Sequence, residues 1–182
     1  SCGLEARSNT LVDTVRGSSL VLQTESTAAE WDGSGWTGGP TVPTSRGFGA
    51  SSGVQTSALS TAGDQGGSPF AATAVDSYNG STWSETHDLN TARSHNAGAG
   101  ATNTAALSIG GSSPSIVAIV ESYNGSSWTE IADCNTSRIG HGAFGISTNA
   151  ITYGGETPSM TTNTEQFDGS SWTETSNLAT AR

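Results

Sequence analysis

Three carboxylates recur in one setting. Asp76, Glu121 and Glu165 each stand seven residues before a tryptophan, at Trp83, Trp128 and Trp172. Two carboxyl groups flanking a glycosidic bond are what glycoside hydrolysis requires. That chemistry needs them to converge, however, and residues that recur with a repeat are dealt out one per unit. These three are therefore expected to sit apart and to serve structure. Arginine recurs in the same manner: Arg46, Arg93, Arg138 and Arg182 each follow a tryptophan by ten residues. A ring of guanidinium groups would bind an anion. A planar guanidinium equally serves to bond loop carbonyls and to stack on an adjacent Trp, and fixed phase favours that reading. His87, His95 and His141 show neither HxH nor HExxH spacing, so no metal centre is expected. The run GAGA at 98–101 lacks the helix that a phosphate site needs. No catalytic, cofactor-binding or metal-binding residue is assigned.

The elements that carry these residues are repeats. Trp36, Trp83, Trp128 and Trp172 are spaced by 47, 45 and 44 residues. Upstream, AALSIGG (105–111) and NAITYGG (149–155) each end an apolar run in Gly-Gly, and SALSTAG (57–63) is a worn copy. Gly111 precedes Trp128, and Gly155 precedes Trp172, by the same 17 residues. Fixed self-similarity at this period marks a repeat architecture. Each unit reads as four short antiparallel strands. In the clearest one, NAGAGA and AALSI are joined by a polar TN turn, and IVAIVESY and WTEI by NGSS. The units run over 24–45 (partial), 46–92, 93–137 and 138–182. Residues 1–23 are an N-terminal segment or a degenerate partial repeat, in which RGSSLVLQTEST offers the inner strands of a shortened first unit.

The last hairpin recurs as EWDGSGWTG, SYNGSTWSE, SYNGSSWTE and QFDGSSWTE. Asn-Gly and Asp-Gly are strong hairpin signals, because a two-residue type I′ turn needs φ > 0 at both central positions. A two-residue loop pairs Tyr123 with Ser126; a four-residue loop pairs it with Trp128. Side chains alternate with period two, so either register puts Tyr123 and Trp128 on one face. An aromatic pair on one face suits packing against a neighbouring sheet. The repeated Trp, Tyr and Gly are read as packing residues rather than as a sugar-binding platform. The N-x-S/T sequons at Asn79 and Asn124 fall in this turn and are explained by turn chemistry; a third begins at Asn135.

Composition excludes several partners. The 182 residues contain no lysine, six arginines and a formal net charge of −10, and binding to a phosphate backbone rests on clustered Lys and Arg. Neither nucleic acid nor an anionic membrane surface is an expected partner. No stretch approaches the ~18 apolar residues of a membrane helix. The start, SCGLEARSN, lacks a basic region followed by an apolar run, so no signal peptide is expected. Only 32% of the chain is hydrophobic, which predicts a thin core. Five tryptophans argue against disorder. Cys2 and Cys134 lack metal-type spacing. Cys134 occupies the repeat position of Val42, Leu89 and Leu178, so a buried apolar role is favoured over a bridge to Cys2.

A run ending in Gly-Gly, then Tyr, Trp and an Arg that opens the next unit, resembles the kelch repeat. The matching residues are Gly110, Gly111, Tyr123, Trp128 and Arg138; Gly154, Gly155, Phe167, Trp172 and Arg182; and Gly63, Tyr78, Trp83 and Arg93. The resemblance covers about residues 24–182. It implies an all-β fold: a kelch-type β-propeller or part of one, with four-stranded antiparallel blades of about 45 residues. The Tyr-to-Trp interval is short for that family, and three good units and one partial are fewer than its usual blade number. A piece of a longer array, a four-bladed ring and closure between chains all remain open. SYNGSTW also resembles the Asp-box of sialidases but is one residue shorter and carries Asn for Asp. The Ser/Thr/Asn/Gly-rich, lysine-free texture resembles kelch-type virion proteins of marine bacteriophages. That implies a non-enzymatic tail-fibre, tail-associated or capsid-surface protein. Its partners would be other virion proteins, copies of itself, or a host-surface glycan or protein. The alternative is a secreted or cell-surface glycan-active enzyme or carbohydrate-binding protein. Specificity is expected in the loops 64–72, 112–117 and 156–163, where the copies diverge.

Overall fold

The computed structural model describes residues 11–15, 18–22, 28–65 and 70–182, with only the backbone of the first two strands. Among them the protein is all-β, without a helix. Sheet 1 contains β1 (Leu11–Val15), β2 (Ser18–Leu22), β3 (Ala28–Trp31) and β4 (Trp36–Gly38). Sheet 2 contains β5 (Ala50–Val54), β6 (Ser57–Thr61), β7 (Val75–Tyr78) and β8 (Trp83–Glu85). Sheet 3 contains β9 (Ala97–Thr102), β10 (Ala105–Ile109), β13 (Val120–Tyr123) and β14 (Trp128–Glu130). Between its halves, β11 (Ser112–Ser113) and β12 (Ser115–Ile116) form a separate small hairpin. Sheet 4 contains β15 (Gly142–Ile146), β16 (Asn149–Tyr153), β17 (Thr164–Phe167) and β18 (Trp172–Glu174). Each four-stranded sheet is antiparallel, with its strands in chain order. Sheet 1 draws β1 and β2 from residues 11–22, so the partial unit 24–45 supplies only the outer half of a full sheet. This first unit was hard to delimit from sequence because 11–22 carries neither the Gly-Gly nor the Arg anchor.

The repeated hairpin uses the four-residue loop throughout. Trp31 pairs with Trp36, Tyr78 with Trp83, Tyr123 with Trp128 and Phe167 with Trp172. The two-residue type I′ turn does not form, because the asparagine side chain enters the loop. Asn124 Oδ1 accepts hydrogen bonds from the Ser126 and Ser127 amides, both at 2.9 Å. Asp168 does the same for Ser170 and Ser171, and these bonds hold its carboxyl down at about 2. Only the glycine takes positive φ, +92° at Gly125, which L side chains adopt at a cost. The register stacks Tyr123 on Trp128 with ring centroids 4.9 Å apart.

The sheets pack face to face in sequence order, and the first strands β1, β5, β9 and β15 lie side by side, each against the next. Gly98 shows why these strands are built from small residues. A Cβ there would stand 2.4 Å from the Ser51 carbonyl oxygen of β5. Among the described residues the core is divided into three clusters, one per seam. Ala28 and Val42 meet Ala58, Tyr78 and Trp83. Leu59, Val75 and Leu89 meet Ala106, Tyr123 and Trp128. Ala99, Leu107, Ile109, Val120 and Cys134 meet Ala150, Phe167 and Trp172. Burial of Cys134 raises its thiol pKa well above the ordinary range.

Candidate functional site at the variable end of the sheets

The recurring carboxylates and arginines meet each other. Arg46 bonds Asp76, Arg93 bonds Glu121 and Arg138 bonds Glu165, and all six side chains are buried. Each guanidinium also donates to carbonyls. Arg93 reaches the Ile119 oxygen at 2.9 Å, and Arg138 reaches those of Gly154 and Asn163 at 3.1 and 2.9 Å. The segments before these arginines complete the enclosure. Asn90 donates its backbone and side-chain N–H groups to Glu121 Oε2 at 2.7 and 2.9 Å, and the Thr91 amide reaches Oε1 at 3.1 Å. Asn135 and Thr136 repeat this on Glu165. A carboxylate enclosed in this way has no free lone pair for a substrate, and buried ions persist only when so paired. Burial still disfavours charge at the first pair, pushing the Asp76 carboxyl up against the pull of Arg46.

The Gly-Gly anchor serves the same joint. The Gly111 amide donates to the Arg138 carbonyl at 2.9 Å, Gly155 to that of Arg182 at 2.7 Å and Gly63 to that of Arg93 at 2.9 Å. Sheets 2, 3 and 4 are each thereby tied to the arginine that opens the next unit. Gly111 (φ +104°) admits no side chain, since a Cβ would lie 2.6 Å from the Ser94 carbonyl oxygen. Gly110 and Gly154 precede these glycines, also at positive φ. No Arg–Trp stacking occurs among the described residues; the Trp128 and Trp172 indoles instead donate to the His87 and Ala132 carbonyls across the seams, at 2.9 and 3.0 Å.

With the repeated groups committed, the chemistry left over lies where the copies differ. The isolated bridges Gly47–Asp64, Ser94–Ser112 and Ile139–Glu156 hold the three variable loops beside the residues that follow each arginine. All three loops therefore share one end of the sheets, opposite the NGSS and TN turns. Residues 66–69 of the first loop lie outside the described residues. Phe70 and Met160 are exposed on the first and third loops, and Phe48 is exposed beside them.

Below this end is an open groove of about 540 Å³ between β5, β9 and β15. Its rim carries Phe48 and His95, stacked with centroids 4.4 Å apart. Both follow a repeat arginine by two residues, and both hold positive φ, 55° and 57°, where Gly140 stands in the next unit. A bulky residue in the left-handed region stores about 1–2 kcal/mol of strain. The walls are glycine, alanine and serine backbone with Asn96 and His141, and the paired rings of Phe144 and Tyr153 stand at the β15–β16 edge. Asn96 Nδ2 bonds Ser108 Oγ at 2.9 Å, while its Oδ1 is buried without a partner. Both ring nitrogens of His141 are buried without completed hydrogen bonds, although the Ile109 carbonyl faces the ring. Burial, then the nearby Arg138 charge, lowers the His141 pKa to about 3, and burial lowers that of His95. Among the described residues, no Asp, Glu or Arg lines the groove. Such a lining suits a neutral polar ligand and lacks the carboxylate pair of a glycosidase. Neither Phe48 nor Asn96 was singled out from sequence; the signal was a shared offset of two or three residues from an arginine.

Among the described residues, no cluster of three or more His, Cys, Asp or Glu is placed to hold a metal ion. No protein-family model matches the chain, and no curated protein matches it.

Proposed function

We propose that this chain is a non-enzymatic binding or structural protein built as a kelch-type β-propeller or part of one, and that it is a bacteriophage virion component. In that role it is a tail-fibre, tail-associated or capsid-surface protein that contributes to host attachment through its variable end. The observation that carries the non-enzymatic reading is the enclosure of every repeated carboxylate and its arginine, which leaves the divergent loops as the chemically free surface. Four stacked four-stranded sheets with first strands side by side support the propeller reading. The virion assignment rests on the resemblance in repeat texture.

Mass spectrometry of purified particles tests the location. The expected result is peptides of this chain in the particle fraction. Finding them only as free protein in the culture medium would favour the secreted alternative. That alternative has one observation of its own, the uncharged groove with the Phe48–His95 stack, which suits sugar binding better than hydrolysis. A glycan array paired with a hydrolysis assay separates these: turnover of any glycan would overturn the non-enzymatic reading.

A further inference from the structure

The three seams are built alike around a Tyr–Trp or Phe–Trp hairpin, and among the described residues the two outermost faces of the stack carry the two halves of such a seam with no sheet packed on them. At the two later seams the earlier sheet contributes its second strand, and at all three it contributes a residue four before an arginine. The later sheet contributes its aromatic hairpin pair. On the outer face of sheet 4, the first half of this joint stands open. Phe144 occupies the position of Ala99, six after the repeat arginine, yet it is 56% exposed where Ala99 is 2%. Ile146 beside it is exposed, and Ile151 and Leu178, at the positions of the buried Leu107 and Cys134, are part-exposed. On the outer face of sheet 1, the second half stands open. Trp36 is 44% exposed, its ring tilted against that of Trp31 with centroids 5.5 Å apart.

We propose that these faces dock head to tail, the outer face of sheet 4 receiving the Trp31–Trp36 hairpin from a second copy of this chain. The occupant is identified by continuity with the existing seams, since the two faces are the matching halves of one repeated interface. The hydrogen bonding also continues in register. The acceptors for Trp128 and Trp172 lie six residues before an arginine, at His87 and Ala132, and the next such carbonyl is that of exposed Ser176; the Trp83 indole N–H at the first seam is buried without a partner. The polar network is reduced on both sides together. Ala29 stands where Glu121 and Glu165 carry carboxylates, and Ala179 stands where Asn90 and Asn135 bind them. The new seam is therefore apolar rather than ionic, whereas a further unit bearing a carboxylate would pair with exposed Arg182. A face that meets a different face is heterologous, so copies form a ring if the rotation closes and a filament if it does not. Two copies would bring eight sheets together. The docking holds whether or not the chain comes from a virion.

Light scattering on the 182-residue chain, from micromolar to near-millimolar concentration, tests this. The expected species has twice the 18.3 kDa of one chain, or a higher multiple, and does not dissociate between 0.1 and 1 M salt. Phe144→Asp and Trp36→Asp should each abolish association while leaving circular dichroism unchanged, because both side chains are exposed. An equimolar mixture of the two variants should recover a two-chain species through the one seam that remains intact. Acrylamide quenching of tryptophan should fall as the wild type associates. A wild type of single-chain mass throughout would overturn the proposal and leave these faces to a further repeat unit or another partner. So would association that survives Phe144→Asp, or a mixture that stays monomeric.

Discussion

Trp128 and Trp36 occupy the same place in nearly the same hairpin, SYNGSSWTE and EWDGSGWTG, yet one is 5% exposed and the other 44%. Their loops are alike: Asn124 and Asp32 both accept the amides two and three residues on. Their pairing is alike too, with an aromatic residue directly opposite. What differs is the neighbour. Trp128 lies against Leu59, Val75 and Leu89 of the preceding sheet and donates to the His87 carbonyl, whereas no described sheet packs on Trp36. The hairpin is thus a local product of its sequence, and its burial is a property of its place in the row. Arg138 and Arg182 repeat the lesson at the other end: both open on a Gly-Gly amide, but only Arg138 is buried against a carboxylate.

The comparison breaks most sharply at the arginines. Arg93→Ala leaves Glu121 buried and uncompensated, which costs about 3–5 kcal/mol. Arg182→Ala should change stability by less than about 0.5 kcal/mol, as exposed substitutions do. Urea unfolding of both variants measures the difference, and equal losses would show that Arg182 is held as Arg93 is. The tryptophans come next. Trp128→Ala should cost about 3–5 kcal/mol through lost packing, while Trp36→Ala, at dilute concentration, should cost about 1 kcal/mol or less.

A third contrast lies between the groove and the surface. His141 titrates at about 3 in the folded protein against 6.5 when free, so the unfolded chain binds more protons between those values. Its contribution is fully present above pH 6.5 and is lost as pH falls toward 3, by up to about 1.4 kcal/mol per pH unit. His141→Leu should flatten the stability–pH slope between pH 6 and 4 relative to wild type; an unchanged slope would mean the ring is already protonated or solvated. The smallest effect belongs to the turn. Asn124→Ala removes two amide bonds at an exposed loop and should cost about 1 kcal/mol, with the Tyr123–Trp128 register intact by NMR.

Much of the local architecture was legible in the chain. The anchors at fixed phase divide it into repeated hairpins, and even loop length places each aromatic pair on one face. The loop's true length was not legible, because the choice depends on the Asn or Asp side chain bonding amides within it. The partnership of the two recurring charges was missed, although both series were visible. Arg93 and Glu121 are 28 residues apart and Arg138 and Glu165 are 27, and a shared period of opposite charges is a signal for pairing. The Phe48–His95 stack was hidden more deeply, since it joins residues of two units across the mouth of a groove.

By itself, then, the sequence determined what is local: strand alternation, turn chemistry, glycine where the backbone must hold positive φ, and small residues where strands approach. Such properties depend on residues a few positions away. Only the tertiary structure decided which copies of the same residue are buried, because burial requires a neighbouring sheet and a repeat does not say which of its copies will have one. It also decided that the variable loops share an end, since that follows from antiparallel strands stacked in one direction. The same stacking turned the chain's recurring charges into structural joints and left its least regular residues at the surface.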